Sequence, residues 1–156
     1  MFSGKTEELI RRIKRAEIAN QKVKVFKPHI DLRSKNFIES HDETKLKCIE
    51  VKLSNDILDK VDECNVVAID EAQFFGDLKS FLILCEQNQK TVIIAGLDGD
   101  FNRNPFGQIL ECIPMCDEVV KLKALDMVNN DGTEAIFTRR LVEGNETIMV
   151  GASDKY

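Results

Sequence analysis

The chain has 156 residues, enough for one compact domain with at most a small appendage. Hydrophobic residues make up 43% of it, so it can bury an ordinary core, and a net charge of −5 with dispersed Lys and Arg leaves no electrostatic footprint for a nucleic-acid polymer or an anionic membrane. No apolar run approaches the ~20 residues that span a bilayer and no signal-peptide pattern is present, while five cysteines without a C-x-x-C pair read as reduced thiols of a cytoplasmic protein.

After Met1-Phe2 come Ser3-Gly4-Lys5-Thr6, which match the last part of the phosphate-binding pattern G-x-x-x-x-G-K-[ST]. The chemistry needs these types in this order. Gly4 lets backbone N–H groups turn toward phosphate oxygens, and Lys5 reaches the β- and γ-phosphates. Thr6 offers a hydroxyl to Mg²⁺ at the start of a helix whose N-terminal dipole favours anions. Leu9, Ile10, Ile13, Ala16 and Ala19 recur at helical spacing and predict that helix. The pattern's first glycine and the strand that should precede it are absent. Either the chain begins inside the motif, which is the favoured reading, or the fold lacks a central strand.

Val23 to Phe26 reads as a strand ended by Lys27-Pro28. Residues 29–44 are polar and charge-mixed without periodicity, a loop of a length that is usually functional or disordered. Asp31 and Arg33 in it lie just past a strand end, where a reach toward phosphates and a solvated pair are both open readings. Leu46 to Leu53 is expected to be a strand, and Ser54-Asn55-Asp56 a helix start with Ile57, Leu58 and Val61 as its apolar side.

Val66 to Ile69 is a short apolar run with no polar alternation, the pattern of a strand buried on both faces in a parallel sheet. Asp70 and Glu71 follow at its C-terminal end, where open α/β sheets bind their ligands. Adjacent side chains of an extended segment point apart, so the two acids are expected to take different jobs, one holding a metal ion and one facing a hydroxyl group. A solvated acidic turn is the bland alternative. The G-K-T loop tips the balance toward the first reading.

A helix is predicted over Asp77 to Asn88 with Leu78, Phe81, Leu82, Leu84 and Cys85 as its core stripe, then a second buried-type strand over Thr91 to Gly96. The Gly- and Pro-containing loop from Leu97 to Gly107, with two Phe and an Arg, suits a pocket wall. Pro114 between Cys112 and Cys116 argues against a continuous helix presenting both thiols to a metal. Glu118 to Ala124 reads as a further strand, Asp126 to Gly132 as a boundary, and Thr147 to Val150 as a last strand. Strands alternating with helices give an α/β nucleotide-binding domain over 1–124 and a small subdomain over 125–156.

Together the motifs resemble the type II thymidine kinase family, the cellular and poxvirus type. The matching stretches are M-F-S-G-K-T-E-E-L-I-R-R at the start, I-D-E-A-Q-F-F at 69–75 and L-D-G-D-F-N-R-N-P-F-G at 97–107. V-V-K-L-K-A at 119–124, F-T-R-R-L, and G-A-S-D-K-Y near the end extend the resemblance along almost the whole chain. It implies a P-loop, RecA-like, mainly parallel sheet flanked by helices, with 125–156 as a small C-terminal lasso subdomain shorter than the family's. The implied reaction moves the γ-phosphate of ATP to the 5′-hydroxyl of thymidine, with deoxyuridine as a second substrate.

Glu71 stands at the position of the family's catalytic carboxylate and would accept the 5′-hydroxyl proton. Ser3, Gly4, Lys5 and Thr6 would bind the ATP phosphates, Thr6 and Asp70 would hold Mg²⁺, and Arg33, beside Asp31, would stabilise charge on the transferring group. Met1, Phe74, Leu97, Phe101 and Phe106 match positions lining the thymine pocket. Thr138 matches a Thr beside the base's 5-methyl group, Thr147-Ile148-Met149-Val150 the lasso that clamps the base, and Tyr156 the Tyr that closes the pocket. The loop around His41 and Asp42 resembles the lid over ATP, and the family's common tetramer implies a homo-oligomer.

One departure concerns zinc. The family's small domain carries two C-x-x-C pairs, but here the first pair's positions hold Asp126 and Asn129 and the sequence stops at Tyr156, before the second. No structural zinc is expected. The rival readings are a P-loop ATPase of another kind, which should carry a basic face that this acidic chain lacks, and a catalytically weak nucleotide-binding relative.

Overall fold

The computed structural model describes residues 3–31, 35–40, 44–52, 56–57, 60–129 and 131–141. Helix α1 (Lys5–Ile18) starts where Gly4 turns left-handed at φ +70°, a conformation that costs glycine little. Leu9, Ile10 and Ile13 form its buried face. The expected stripe is one turn too long: Ala19 falls past the helix end and is exposed. The other elements are β1 (Val23–Pro28), β2 (Phe37–Glu39), β3 (Lys45–Lys47), β4 (Ile49–Val51), β5 (Val66–Ile69), α2 (Leu78–Gln87), β6 (Thr91–Ile94), α3 (Ile109–Cys112), β7 (Ala124–Leu125) and β8 (Glu134–Ala135).

The main sheet has the order β4-β1-β5-β6 and is parallel throughout. Val25 of β1 lies opposite Ala68 of β5, and Ala68 opposite Ile93 of β6. Strand alternation then sorts the core. Phe26, Val67, Ile69, Val92 and Ile94 point to the face covered by Leu78, Phe81, Leu82 and Cys85 of α2 together with Ile57 and Val61. Val25, Ala68 and Ile93 point to the other face, under Leu9, Ile10 and Ile13 of α1 and Ile38 of β2. A parallel sheet with helices on both faces is the architecture the sequence pattern implies. A register slip of one residue would exchange the two faces.

Some elements differ from their sequence expectation. Lys27 and Pro28 do not end the first strand but belong to β1, and Lys27 is fully buried. Its ammonium is satisfied there: it donates to the Asp31 carbonyl at 3.1 Å and stands 3.8 Å and 3.7 Å from the carboxylates of Asp31 and Glu50. Residues 29–44 are not a featureless loop, because β2 rises within them and pairs antiparallel with β3. Leu46 to Leu53 is not one strand either. Cys48 breaks it by bonding its N–H to the Asn36 carbonyl at 2.9 Å, which leaves β3 in the hairpin and β4 in the main sheet.

The second buried-type strand stops at Ile94 and is only half-buried, since among the described residues β6 is an edge strand of the sheet. Of Glu118 to Ala124 only Ala124 becomes strand, in β7 opposite Ala135 of β8, while Val119 and Val120 are exposed. Pro114 acts as expected: α3 ends at Cys112 and a 3₁₀ turn runs from Ile113 to Met115. All five cysteines are free. Among the described residues no helix is long and apolar enough to cross a membrane. Ser54, Asn55, Leu58 and the strand and lasso expected beyond residue 141 lie outside the described residues.

Phe81 is fully buried between α2 and the sheet, whereas Ile18 is 82% exposed at the end of α1. Phe81→Ala is expected to lower unfolding free energy by about 3–5 kcal/mol and Ile18→Ala by no more than about 0.5 kcal/mol. Urea denaturation of the two variants checks this, and equal midpoint shifts would contradict the core described above.

Candidate active site

Strand β5 delivers Asp70 to the mouth of the sheet, and the first turn of α1 meets it there. Thr6 Oγ1 donates to Asp70 Oδ2 at 3.1 Å across 64 residues of chain. The Glu71 N–H donates to Asp70 Oδ1 at 3.0 Å. Asp70 is 4% exposed. Burial, and then the neighbouring Glu71 carboxylate, push its carboxyl up to about 6 from 3.8, against the opposing pull of the Glu71 N–H, the Thr6 hydroxyl and the Lys5 ammonium. A desolvated carboxylate joined to a hydroxyl at a helix N-terminus supplies the hard oxygen donors that a magnesium ion takes. Thr6 and Asp70 fit that ion.

Glu71 takes another direction. Its backbone is left-handed at φ +51°, uncommon for a residue with a Cβ and a mark of local strain. The side chain is 9% exposed and its Oε2 accepts from Gln73 Nε2 at 2.6 Å. The two acids therefore have different partners, and their burial rules out the solvated acidic turn. Gln73 is the residue that sequence reasoning passed over. It is 2% exposed, and its Oε1 accepts the Leu97 N–H at 3.0 Å. The only signal in the sequence was a polar side chain inside the otherwise apolar run A-Q-F-F.

The first turn of α1 carries its own charges. Glu8 accepts from Arg11 Nε at 2.6 Å and Arg12 Nε at 2.7 Å, and Arg12 also bonds Glu118 at 2.9 Å. The two guanidiniums hold the Glu8 carboxyl at about 2, well below its usual range. Glu8 is thus turned back along α1 by its arginines.

The pocket-wall loop is shaped by Asp100, whose Oδ1 accepts the N–H groups of Asn102 and Asn104 at 2.8 and 2.9 Å. Gly99 bridges to Pro105, and the Phe106 N–H bonds the Asp98 carbonyl at 3.1 Å. That fold-back brings Phe106 edge-on to Phe74, with ring centroids 5.5 Å apart at 83°, a favoured aromatic geometry. Two cation–π contacts fasten the chain after β8 to the same loop. Arg103 lies 4.5 Å over the Phe137 ring and Arg140 4.6 Å over the Phe101 ring. Thr138 sits between these fastenings. Phe74 and Phe106 thus meet, Leu97 is tied to Gln73 one residue before Phe74, and the segment that carries Thr138 is fastened to the loop that carries Phe101.

Asp31, expected as either a solvated or a phosphate-facing residue, is buried beside Lys27. Met1, Arg33, His41, Asp42, Thr147, Met149 and Tyr156 lie outside the described residues. The two positions compared with a zinc pair bond each other: Asn129 Nδ2 donates to Asp126 Oδ2 at 2.7 Å, and Asp126 Oδ1 accepts the Val128 N–H at 2.8 Å. That closes the turn between β7 and β8. Among the described residues no group of three or more His, Cys, Asp or Glu is arranged to hold a metal ion. An amide and a carboxylate engaged with each other do not make the donor set that zinc takes.

Comparison with known proteins bears on the site as a whole. A family model described as thymidine kinase matches residues 1–156. A thymidine kinase of Bacteroides thetaiotaomicron is 44% identical over 160 residues, an alignment covering 100% of this chain and 78% of that protein.

The raised carboxyl of Asp70 makes stability depend on pH. The folded protein keeps a proton on Asp70 that the unfolded chain has already released, so this contribution is complete below 3.8 and is lost as pH rises through about 6. Asp70→Asn carries no charge and keeps one acceptor oxygen, so it can serve Thr6 or the Glu71 N–H but not both. The difference in melting temperature, variant minus wild type, is expected to be more positive at about pH 8 than at about pH 4 for metal- and nucleotide-free protein. An equal difference at both pH values would refute the assignment.

Proposed function

The chain belongs to the thymidine kinase family, and from that premise we propose how its own residues transfer the γ-phosphate of ATP to the 5′-hydroxyl of thymidine. The observation that carries the reading is the 3.1 Å hydrogen bond between Thr6 and Asp70. It joins the phosphate-binding helix start to the strand end that bears the acids. The Gly4 turn and the first N–H groups of α1 receive the phosphates, with Lys5 neutralising their charge. Thr6 and Asp70 would hold Mg²⁺ directly or through water, and the ion would supply neutralisation of the phosphates' negative charge.

Glu71 accepts the proton of the 5′-hydroxyl as that oxygen forms its bond to the γ-phosphorus. The bond from the γ-phosphorus to the β–γ bridging oxygen breaks, and ADP leaves with the electron pair. Arg33 stabilises charge on the group in transit, and Asp31 beside it is anchored by buried Lys27. Phe74, Leu97, Phe101, Phe106 and Thr138 receive the thymine, completed by Met1, Thr147, Met149 and Tyr156, and deoxyuridine is a second substrate. The five free cysteines support a cytoplasmic location. Exposed Val119, Val120 and Leu125 support a homo-oligomer, tetrameric as in the family.

Glu71→Gln keeps the shape and removes the base, a change worth roughly 10²–10⁴ in rate. Turnover of thymidine with ATP should fall by that factor while binding of both substrates is nearly preserved. Retention of more than about a tenth of wild-type turnover would remove Glu71 from this role. Elemental analysis makes a separate check on the hairpin closed by Asp126 and Asn129. Extensively dialysed protein is expected to hold far less than one zinc per chain, and a full equivalent would show that the metal is carried after all.

A further inference from the structure

We infer that Gln73 is the positioning residue of the proton acceptor, setting the Glu71 carboxylate and tying it to the loop that bears the base pocket. The inference rests on the assignment of Glu71 as the base and goes one residue beyond it. Glu71 stands two residues past the end of β5 in a left-handed conformation, so strand pairing does not hold it. A side-chain amide is hydrogen-bonded to its carboxylate. The orientation of that amide follows from its partners: the Leu97 N–H can only donate, so Oε1 faces it and the NH₂ group faces Glu71. An amide can fix a carboxylate oxygen without competing for the proton that the carboxylate is to receive.

The surroundings of Gln73 leave it one place. The Ala72 N–H bonds the Ala95 carbonyl at 3.0 Å, docking the turn on the exit of β6. A Cβ at Gly96 would come to 2.9 Å from Gln73 Oε1, and one at Gly107 to 2.1 Å from the Gln73 carbonyl oxygen. Both glycines are therefore needed for Gln73 to sit where it does, one at each end of the pocket-wall loop. Leu97 opens that loop and Phe106, packed on Phe74, closes it. A base that settles against the loop thus acts on Leu97, and through one amide on the carboxylate that must meet the 5′-hydroxyl.

The test uses Gln73→Met, Gln73→Glu, Glu71→Gln and the double variant Glu71→Gln with Gln73→Met, assayed with ATP and thymidine. Gln73→Met removes both hydrogen bonds. Gln73→Glu still accepts the Leu97 N–H but replaces the donation to Glu71 with a second carboxyl group facing it, so its loss includes like-charge repulsion. Each Gln73 variant is expected to lower kcat about tenfold or more with KM for thymidine within about threefold, the mark of a misplaced reacting group rather than a lost binding contact. In the Glu71→Gln background, adding Gln73→Met should change kcat by less than about threefold, because the group it positions is gone.

If Glu71→Gln keeps its turnover, the base assignment fails independently of Gln73. If Glu71→Gln is inactive but Gln73→Glu retains wild-type kcat, the positioning role is overturned. A purely structural glutamine would give a lowered melting temperature, parallel changes in kcat and KM, and equal losses in both backgrounds. Gln73→Glu keeps the comparison open should Gln73→Met fail to fold.

Discussion

A hydroxyl and a buried carboxylate, Thr6 and Asp70, hold the two halves of this molecule in register at 3.1 Å. One belongs to a helix that begins almost at the start of the chain, the other to the strand end around which the sheet is built. Parallel pairing of β1, β5 and β6 makes all three strands end on one side, so the contact can form only there. Burying Asp70 opposes ionisation, and its two hydrogen bonds do not offset that cost. That imbalance suits Asp70 to the magnesium role proposed for it, since a bound cation would offset the cost of its charge. Gly4, Lys5 and Thr6 are set by the same contact, because they occupy one turn of one helix.

How much of this could be read from the sequence depends on which force set each element. Val66 to Ile69 was legible because burial on both faces leaves no alternation, and its four residues are all buried. Thr91 to Ile94 has the same look but lies at the sheet's border, a fact of topology that no local pattern records. Lys27 misled for the opposite reason. A lysine before a proline reads as a strand end, yet here three oxygen partners receive the ammonium and the strand continues. Phe74, Phe106 and Thr138 were reached by resemblance, since their meeting depends on the Asp100 turn and two arginine–ring contacts between distant segments. Gln73 was invisible because its function is to have two partners, and a sequence shows none.

Charge is handled in two ways. On the surface, Glu8, Arg11, Arg12 and Glu118 tie α1 to a segment 106 residues away, and such exposed pairs are individually weak. Lys27 is the reverse case, buried with Asp31 and Glu50 at the C-terminal ends of β1 and β4. Removing one member of that group would strand charge where water cannot reach it. Asp31 is therefore fixed where the chain leaves β1.

The half-buried border strand has a consequence for how copies of the molecule behave toward one another. Among the described residues β6 is paired on one side only, so its other side offers main-chain N–H and C=O groups to any extended segment that comes alongside. A net charge of −5 adds a long-range repulsion that opposes such edge-to-edge approach. Dissolved salt shortens the reach of that repulsion to roughly 10 Å at 0.1 M and leaves main-chain hydrogen bonding untouched. Association along this edge is therefore expected to be weakest in dilute buffer and to strengthen as ionic strength rises.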